Sequence, residues 1–467
     1  MNKESKQRLL QLELVGTNLL IQIGIFALCY FLFYSTWFRL AIEDGFWLKG
    51  HILLLAIYTF LLISFSNMYG AFKMEYQRNV DLILSQIFGT LVANVLEYAI
   101  LSLLCMQLMN VVYYLPMTLI QLAWASVWIV FSAKIYAKKF PPRELLLVHG
   151  DRPIEDILRK FESRKDRYTI YKTMNISEGV ENICLEALNG YDGVVIWDIP
   201  TNFRNNIYKF CYGKSIRVYI MPKISDVMLS GAEELHLFDS PMLLTRENAL
   251  SFEQTFIKRL LDIVISLIFI VLSSPFMLIT AIMVKCYDRG PILYKQVRCT
   301  QNCREFKILK FRSMRVDAEK DGVARLAKEN DDRITPVGRF IRKCRLDELP
   351  QLFNILKGDM SFIGPRPERP EIIETYLENM PEFAFRMKVK AGLAGYAQVY
   401  GKYNTTPYDK LKLDLCYIEN YSIWLDIKLM LLTVRILFLP DSTEGVSDEQ
   451  ITAMKNPGMD KEEEKMV

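Results

Sequence analysis

Long apolar runs constrain the fold of this chain more than any other feature of the sequence. Four of them lie near the N-terminus, and each is long enough to cross about 30 Å of hydrocarbon as a helix. They cover roughly 15–38, 48–67, 82–108 and 111–133. Because a helix satisfies its own backbone hydrogen bonds, these runs predict a four-helix transmembrane bundle within 1–140. The 51% content of hydrophobic residues is therefore a local excess, not the sign of an unusually large core.

The charges that flank these runs predict their orientation. Lysine and arginine residues precede the first run, separate the second from the third and follow the fourth. The loop after the first run carries as many acids as bases, and the loop after the third carries no charge. By the positive-inside rule, both ends of the bundle are cytoplasmic. We expect no cleavable signal peptide, since the first run is long and lacks a small-residue cleavage site close behind it.

A carboxylate lies inside the third run. Glu97 and Asn94 are three residues apart and therefore share one face of a helix. An acidic residue within a membrane is a candidate for function. Hydrogen bonding between helices is the simpler explanation, and we favour it.

The pattern changes after Pro141. Short β-branched runs alternate with charged, helical segments, which predicts a small doubly wound, Rossmann-like α/β domain with a parallel sheet at about 142–240. With its linker, this cytoplasmic module covers 141–250. The first strand ends at Gly150 without a GxGxxG motif. We therefore favour a scaffold, regulatory or oligomerisation role over the binding of a dinucleotide.

A fifth apolar stretch, KRLLDIVISLIFIVLSSPFMLITAIMVK at 258–285, contains a proline. The halves on either side of Ser274 and Pro275 are about 22 Å and 15 Å long as helices, so each is too short to span alone. Pro275 predicts a break, and the neighbouring serine hydroxyls can satisfy the carbonyls that it frees. Cations flank both ends. These features favour a re-entrant membrane helix over a kinked fifth span.

The densest cluster of candidate catalytic residues is FIRKCRLDELPQLFNILKGDMSFIGPRPE, at 340–368. Asp347 and Glu348 are adjacent carboxylates, with Arg342 upstream and Arg366 in the GPRP turn. Consecutive side chains on a helix diverge by about 100°, so the two acids could bracket one phosphate. One would act as nucleophile and the other would bind or orient a metal ion. Guanidinium groups suit phosphate because they donate two hydrogen bonds at once.

A second basic segment precedes this cluster. GPILYKQVRCTQNCREFKILKFRSM interleaves cations, among them Arg298 and Lys310, with apolar residues. It is either the solvent face of a strand pair or a site for an anionic substrate near a negatively charged membrane. No recognition motif for nucleic acid accompanies the charge, and the net charge is only +4. Cys299 and Cys303 lack further ligands at metal-site spacing, so we expect no metal there.

Six motifs in this region carry a family resemblance: KRLLDI, GPILYKQVR, FKILKFRSM, DDRITPVGRFIRK, LDELPQLFNILKGDMSFIGPRPE and GYAQVYG. Over about 255–440 the chain resembles the bacterial monotopic phosphoglycosyl transferases, the polyprenyl-phosphate hexose-1-phosphate transferase family, in its large, multi-domain form. The chain departs from the family pattern at two places. The family usually has glycine after the equivalent of Arg298, where this chain has Cys299–Thr300, and a Pro-Gly-Ile-Thr-Gly sequence where this chain has Ala391–Gly395.

The resemblance implies a mechanism. Asp347 matches the nucleophile that attacks the β-phosphate of a UDP-sugar, expels UMP and carries the phosphosugar until polyprenyl (undecaprenyl) phosphate accepts it. Glu348 matches the second acid, and both act with Mg²⁺. The positions thought to bind substrate match Arg298, Lys310, Arg342 and Arg366. Asp414 and Asp426 fall where the family has acids, and we expect them to bind substrate as well.

The resemblance also implies an organisation. A mainly α, cytoplasmic catalytic domain at 251–440 contains the re-entrant helix, and a flexible tail follows at 441–467. The protein would start exopolysaccharide, capsule or O-antigen-type assembly at the bacterial cytoplasmic membrane, as a possible homodimer. The segment 423–438 is either an interfacial amphipathic helix or part of the core. Two other functions stay open: a non-catalytic membrane scaffold or regulator, and a metal-dependent membrane phosphodiesterase.

Overall fold

The computed structural model describes residues 3–37, 48–237, 239–245, 249–316, 333–401 and 405–436. The chain divides into two compact units, Met1–Met221 and Pro222–Val467. The predicted flexible tail at 441–467 lies outside the described residues.

Four long helices begin the first unit. They are α1 Lys3–Trp37, α2 Leu48–Tyr69, α3 Asn79–Leu104 and α4 Tyr114–Lys139. Among the described residues, five helices are long and apolar enough to cross a membrane: these four and one in the second unit. Each of the four overlaps with one of the predicted apolar runs over most of the length of that run.

Neutral polar side chains connect these helices in their interior. Gln121 donates to the hydroxyl of Tyr58 over 2.7 Å, and Asn94 donates to the amide oxygen of Gln121 over 2.9 Å. The expected hydrogen bonding between helices is therefore confirmed for Asn94. Glu97 is fully buried, but its carboxylate accepts no hydrogen bond from any described residue, so that explanation is wrong for Glu97.

A parallel sheet follows in the first unit. Its strands run in the order Tyr168–Asn175 (β2), Arg143–His149 (β1), Gly193–Trp197 (β3) and Val218–Ile220 (β4), which confirms the doubly wound topology. One sheet face packs on a cluster around Leu146 and Val194, and the other on a cluster around Leu145 and Trp197. Close packing explains the glycine at position 150, because a side chain there would come within 2.7 Å of the Asp198 carbonyl. The elements are β1 Arg143–His149, α5 Glu155–Glu162, β2 Tyr168–Asn175, α6 Val180–Glu186, β3 Gly193–Trp197, α7 Thr201–Gly213 and β4 Val218–Ile220.

The amino-terminal edge of this sheet contacts the helical bundle. Arg143, which begins β1, pairs with Glu75 of the α2–α3 connection at 2.5 Å and donates to Gln7 of α1 at 2.7 Å. The guanidinium of Arg167 stacks over the Tyr136 ring of α4 at 4.4 Å. The start of α1, the α2–α3 connection and the end of α4 therefore lie at one end of the bundle, beside the sheet.

Helices and three two-stranded sheets make up the described part of the second unit. The basic segment forms an antiparallel pair of strands, Leu293–Cys299 (β7) and Glu305–Phe311 (β8). A strand pair was one of the two interpretations of this segment. The elements are α8 Ile224–Leu229, β5 Glu233–Leu237, β6 Ser240–Leu244, α9 Phe252–Asp288, β7 Leu293–Cys299, β8 Glu305–Phe311, α10 Pro336–Lys343, α11 Gln351–Lys357, β9 Ser361–Ile363, α12 Pro370–Asn379, β10 Gly392–Ala394, α13 Tyr396–Tyr400, α14 Pro407–Glu419 and α15 Ile423–Ile436.

The long helix α9 continues through Pro275, so the predicted interruption at Ser274 and Pro275 is wrong. Proline lacks the amide that would bond the carbonyl four residues earlier, that of Val271. The hydroxyl of Ser274 donates to this carbonyl over 2.8 Å. Because the hydroxyl replaces the missing amide, the helix does not need to end.

Both ends of α9 attach to the same folded domain. Near its start, Lys258 donates to the carbonyl of Ile363, at 2.9 Å. Near its end, Val284 packs in a cluster with Phe311 and Ile341. Between these attachments the helix presents apolar side chains outward, and Val271 is 70% exposed.

The last described helix, α15, has two different sides. Leu429 and Leu432 are buried, whereas Trp424 is 69% exposed. The helix therefore packs on the core with one side and exposes apolar groups on the other. Core packing and an interfacial position are compatible in this helix.

Candidate active site

The adjacent acids Asp347 and Glu348 lie on a single 3₁₀ turn, Leu346–Glu348, between α10 and α11. Arg345 precedes them in the left-handed region, with φ of 56°, which reverses the chain sharply after α10. Residues of a 3₁₀ turn are about 120° apart, so the two carboxylates diverge as expected.

Glu348 accepts two hydrogen bonds from cations on one oxygen. Lys310 of β8 and Arg366 each donate to its Oε1 atom over 3.0 Å. Burial alone would raise the pKa of Glu348, but the charges of Lys310, Arg366 and Arg345 outweigh it and hold the pKa well below its usual range. Glu348 is therefore a permanently charged carboxylate.

Asp347 is 8% exposed and lies in a different environment. Burial and, to a smaller extent, the charge of Glu348 raise the pKa of Asp347 to about 6, against the attraction of Lys310 and Arg342. Asp347 is thus the more basic of the two acids, yet it is still mostly ionised at neutral pH. Adjacent acids with opposite pKa shifts are typical of a pair with divided roles in catalysis.

Arg366 belongs to a turn whose backbone is fixed by its neighbours. β9 pairs in parallel with β10, and the Gly364 amide donates to the Ala394 carbonyl over 2.9 Å. A side chain at Gly364 would overlap with the carbonyl of Lys390, so glycine is required for this close approach. The turn Gly364–Pro367 therefore presents the Arg366 side chain toward Glu348.

Arg298 and Arg342 lie around this site. The guanidinium of Arg298 donates to the carbonyl of Pro367 over 3.2 Å, which places it beside the turn. Arg342, in the last turn of α10, is close enough to lower the pKa of Asp347. The structure thus places Arg298, Lys310, Arg342 and Arg366 near the acidic pair or near the turn Gly364–Pro367.

Asp414 and Asp426 are not available to a substrate, so the predicted contact with substrate is wrong for both. They are 1% and 2% exposed, and each is held by a buried cation. Asp414 pairs with Arg386 at 2.9 Å, and Asp426 pairs with Lys258 at 2.7 Å. Burial raises the pKa of Asp414 to about 6, although Arg386 opposes the shift.

The two departures from the family pattern contact each other. The amide of Ala391 donates to the hydroxyl of Thr300 over 3.1 Å, and this hydroxyl donates to the carbonyl of Asp359 over 2.9 Å. A proline at 391 would have no amide to donate. Cys299, Thr300 and Ala391 line a small cavity beside Arg366.

Sequence reasoning missed the cations that hold the buried acids. Arg386 stands in FAFRMKVK, a segment without any motif, and its partner is distant in sequence. Lys258 appeared only as a flanking charge of the apolar stretch. A weak signal was present there, because Asp262 follows one helical turn later, inside the stretch, and accepts from the Phe362 amide over 3.0 Å.

Comparisons with known proteins match the segment that contains this site. A profile of the family described as bacterial sugar transferase matches residues 253–440. A UDP-N-acetylgalactosamine-undecaprenyl-phosphate N-acetylgalactosaminephosphotransferase of Aeromonas hydrophila is 39% identical over 230 residues, which cover 49% of this chain and 53% of that protein. A UDP-glucose:undecaprenyl-phosphate glucose-1-phosphate transferase of Klebsiella pneumoniae is 40% identical over 253 residues, or 53% of this chain and 52% of that protein.

A shorter relative is matched more completely. A UDP-glucose:undecaprenyl-phosphate glucose-1-phosphate transferase of Caulobacter vibrioides is 38% identical over 190 residues, which cover 40% of this chain and 71% of that protein. In contrast, the chain spans about half the length of the Aeromonas and Klebsiella proteins.

Proposed function

Because the chain belongs to the bacterial sugar transferase family, we propose that it transfers a sugar 1-phosphate from a UDP-sugar to polyprenyl phosphate, such as undecaprenyl phosphate. The observation that carries this proposal is the acidic pair. Asp347 and Glu348 have opposite pKa shifts, and Lys310 and Arg366 stand beside them. This arrangement suits a carboxylate nucleophile that acts on a diphosphate.

The reaction has two steps on the same phosphorus atom. A carboxylate oxygen of Asp347 attacks the phosphorus that bears the sugar, the bond to UMP breaks, and UMP leaves with the bonding electrons. An oxygen of polyprenyl phosphate then attacks this phosphorus, and the Asp347 carboxylate leaves. Lys310, Arg366 and the nearby Arg298 and Arg342 bind the phosphate oxygens and neutralise their charge.

The acidic pair also suits Mg²⁺. The described residues hold no group of three or more candidate metal ligands. Mg²⁺ commonly uses one or two protein carboxylates and completes its coordination with water and substrate phosphates, which fits Asp347 and Glu348. When bound, Mg²⁺ would neutralise charge on the diphosphate.

We further propose that α9, although continuous, bends at Pro275, enters one leaflet and returns, so that the catalytic domain lies on the cytoplasmic face of a multi-pass protein. Two observations support this. A helix that crossed the bilayer would separate Lys258 from Val284, yet both contact one folded domain. The cation-flanked ends of α1–α4 also lie together beside the α/β module.

The identity of the sugar does not follow from overall similarity. Relatives named for N-acetylgalactosamine and for glucose match the chain at 39% and 40% identity. We propose that the product initiates an exopolysaccharide, capsule or O-antigen-type glycan. The predicted homodimer stays a prediction.

The test is UMP release from a panel of UDP-sugars by the purified full chain, with and without polyprenyl phosphate and Mg²⁺. We expect UMP with at least one sugar, and a loss of at least about 1000-fold in the turnover number for Asp347→Asn, because an amide is no nucleophile. Asp151→Asn is the control: Asp151 is an exposed acid of the α/β module, so this variant should stay close to native activity.

Three outcomes separate the candidate functions. UMP and a polyprenyl diphosphate sugar together support the transferase. UMP with free sugar phosphate in the absence of lipid would identify a phosphodiesterase. No UMP with any sugar would leave a scaffold or regulator.

A further inference from the structure

A buried ion pair lies behind the turn that carries Arg366. Asp414 of α14 is 1% exposed and Arg386 is 6% exposed. The Nη2 atom of Arg386 is 2.9 Å from Oδ2 of Asp414. Because both side chains are covered, neither can bind a substrate directly, and any role in the reaction must be transmitted through other residues.

The ion pair reaches the acidic site through the backbone of the turn. The same Nη2 atom of Arg386 donates to the backbone carbonyl of Arg366 over 2.9 Å. The side chain of Arg366 then donates to Glu348 over 3.0 Å. The buried side chain of Arg386 is thus connected to Glu348 by two hydrogen bonds, through the backbone and the side chain of Arg366.

Each residue of the turn is held by its own hydrogen bond. The Gly364 amide donates to Ala394, and the Pro365 carbonyl accepts from the amide of Gly392, both over 2.9 Å. The carbonyl of Pro367 accepts from Arg298 over 3.2 Å. The carbonyl of Arg366 is held by Arg386, so this arginine fixes the one residue whose side chain enters the site.

The pairing with Asp414 explains how a charged group can perform this task. A guanidinium buried against a neutral carbonyl alone would be an uncompensated charge, which is costly. Asp414 balances this charge, since its Oδ2 atom forms an ion pair with the same guanidinium nitrogen that donates to the turn.

We propose that Arg386 and Asp414 are a positioning pair that aims the Arg366 guanidinium at Glu348 and the phosphate beside it. The pair acts through the turn and does not touch the substrate. This inference rests on the proposed function, because its measure is phosphosugar transfer.

A double-mutant cycle tests the route through Arg366. In the otherwise native chain, Asp414→Asn should lower kcat/KM by up to about 100-fold, since a displacement of about 1 Å in a positioning group has effects of this size. In the Arg366→Ala background the same change should alter kcat/KM by less than about twofold, because the residue that the pair positions is already gone. Arg386→Lys keeps the charge without the fork and should lose about 10-fold.

Glu378→Gln is the control. Glu378 is an exposed acid near the end of α12. This variant should retain native kcat/KM in both backgrounds. Thermal unfolding shows whether each variant is folded. If the Asp414→Asn variant is unfolded, Arg386→Lys takes its place in the double-mutant cycle.

The outcomes separate the two proposals. Equal losses from the ion-pair variant in both backgrounds, or no loss in a folded variant, would overturn the positioning role while the transferase activity stands. A native chain that releases no UMP from any UDP-sugar would overturn the proposed function, and this inference with it.

Discussion

The interior of the helical bundle and the interior of the catalytic domain both contain buried polar groups, but of different kinds. In the bundle the hydrogen-bonded network is neutral: Tyr58, Asn94 and Gln121 exchange hydrogen bonds among amides and a hydroxyl, whereas the buried carboxylate of Glu97 has no hydrogen-bond partner among the described residues. In the catalytic domain the buried polar groups form ion pairs, such as Lys258 with Asp426 and Arg386 with Asp414.

This difference predicts unequal sensitivity to substitution. A neutral group in a network has several partners, so the loss of one member leaves the others hydrogen-bonded. A broken ion pair leaves a charge without compensation in the interior. The charged pairs should therefore dominate both the stability and the activity of this protein, and the neutral network should contribute little to either.

The largest effect on stability is expected at the buried pair that joins α9 to α15. Lys258→Met leaves the carboxylate of Asp426, which is 2% exposed, without its cation. The free energy of unfolding should fall by about 3–5 kcal/mol. The double variant Lys258→Met with Asp426→Leu should recover part of this loss, because the charge of Asp426 is removed together with its cation, while the buried Asp262 keeps its hydrogen bonds to Ser361 and to the Phe362 amide. Denaturant unfolding measures both, and an equal loss in the single and double variants would contradict the account.

A smaller effect is expected on activity at Lys310. Lys310→Met removes one of the two cations on Glu348, while Arg366 retains its bond to the same oxygen. We expect kcat/KM to fall about 100-fold, because a preorganised charge at the phosphates is lost. Lys307→Met provides the control, since Lys307 is an exposed lysine of the same strand, on its opposite face. Similar losses in both variants would mean that general positive charge, and not the contact with Glu348, matters.

The smallest effect is expected in the bundle. Gln121→Leu should lower the free energy of unfolding by only about 0.6 kcal/mol, the mean value for hydrogen bonds between membrane helices. Tyr58 and Asn94 stay bonded to each other, and Asn94 keeps its bond to Thr118. Gln86→Leu should be neutral, since the amide nitrogen of Gln86 is buried and has no hydrogen-bond partner among the described residues. Thermal unfolding in detergent measures both. A loss above about 3 kcal/mol for Gln121→Leu would mean that the neutral network stabilises the protein as much as an ion pair does, which contradicts the comparison.

The sequence predicted the elements whose cause is local. Apolar length alone located the four helices of the bundle, and alternating short runs located the parallel sheet. The helix ends were less predictable: α1 begins at Lys3, well before its apolar run, and α4 continues to Lys139. The start of α1 has a polar partner, since Arg143 donates to Gln7, and this partner comes from a distant part of the chain.

The candidate site shows the same limit. Asp347, Glu348, Arg342 and Arg366 were predictable because they lie within one short segment with distinctive neighbours. The roles of Asp414 and Asp426 were mistaken, because burial and pairing with Arg386 and Lys258 depend on tertiary contacts. The prediction that the helix is interrupted at Pro275 was also wrong, because the hydroxyl of Ser274 bonds the Val271 carbonyl that proline leaves without a donor.

Covalent capture of the phosphosugar tests the central claim most directly. The native chain, incubated with an accepted UDP-sugar and Mg²⁺ but without lipid, should gain the mass of one sugar phosphate on the peptide that contains Asp347. Polyprenyl phosphate should discharge it, and Asp347→Asn should not acquire it. An adduct on another residue, or transfer to lipid without any adduct on Asp347 under single-turnover conditions, would contradict the account.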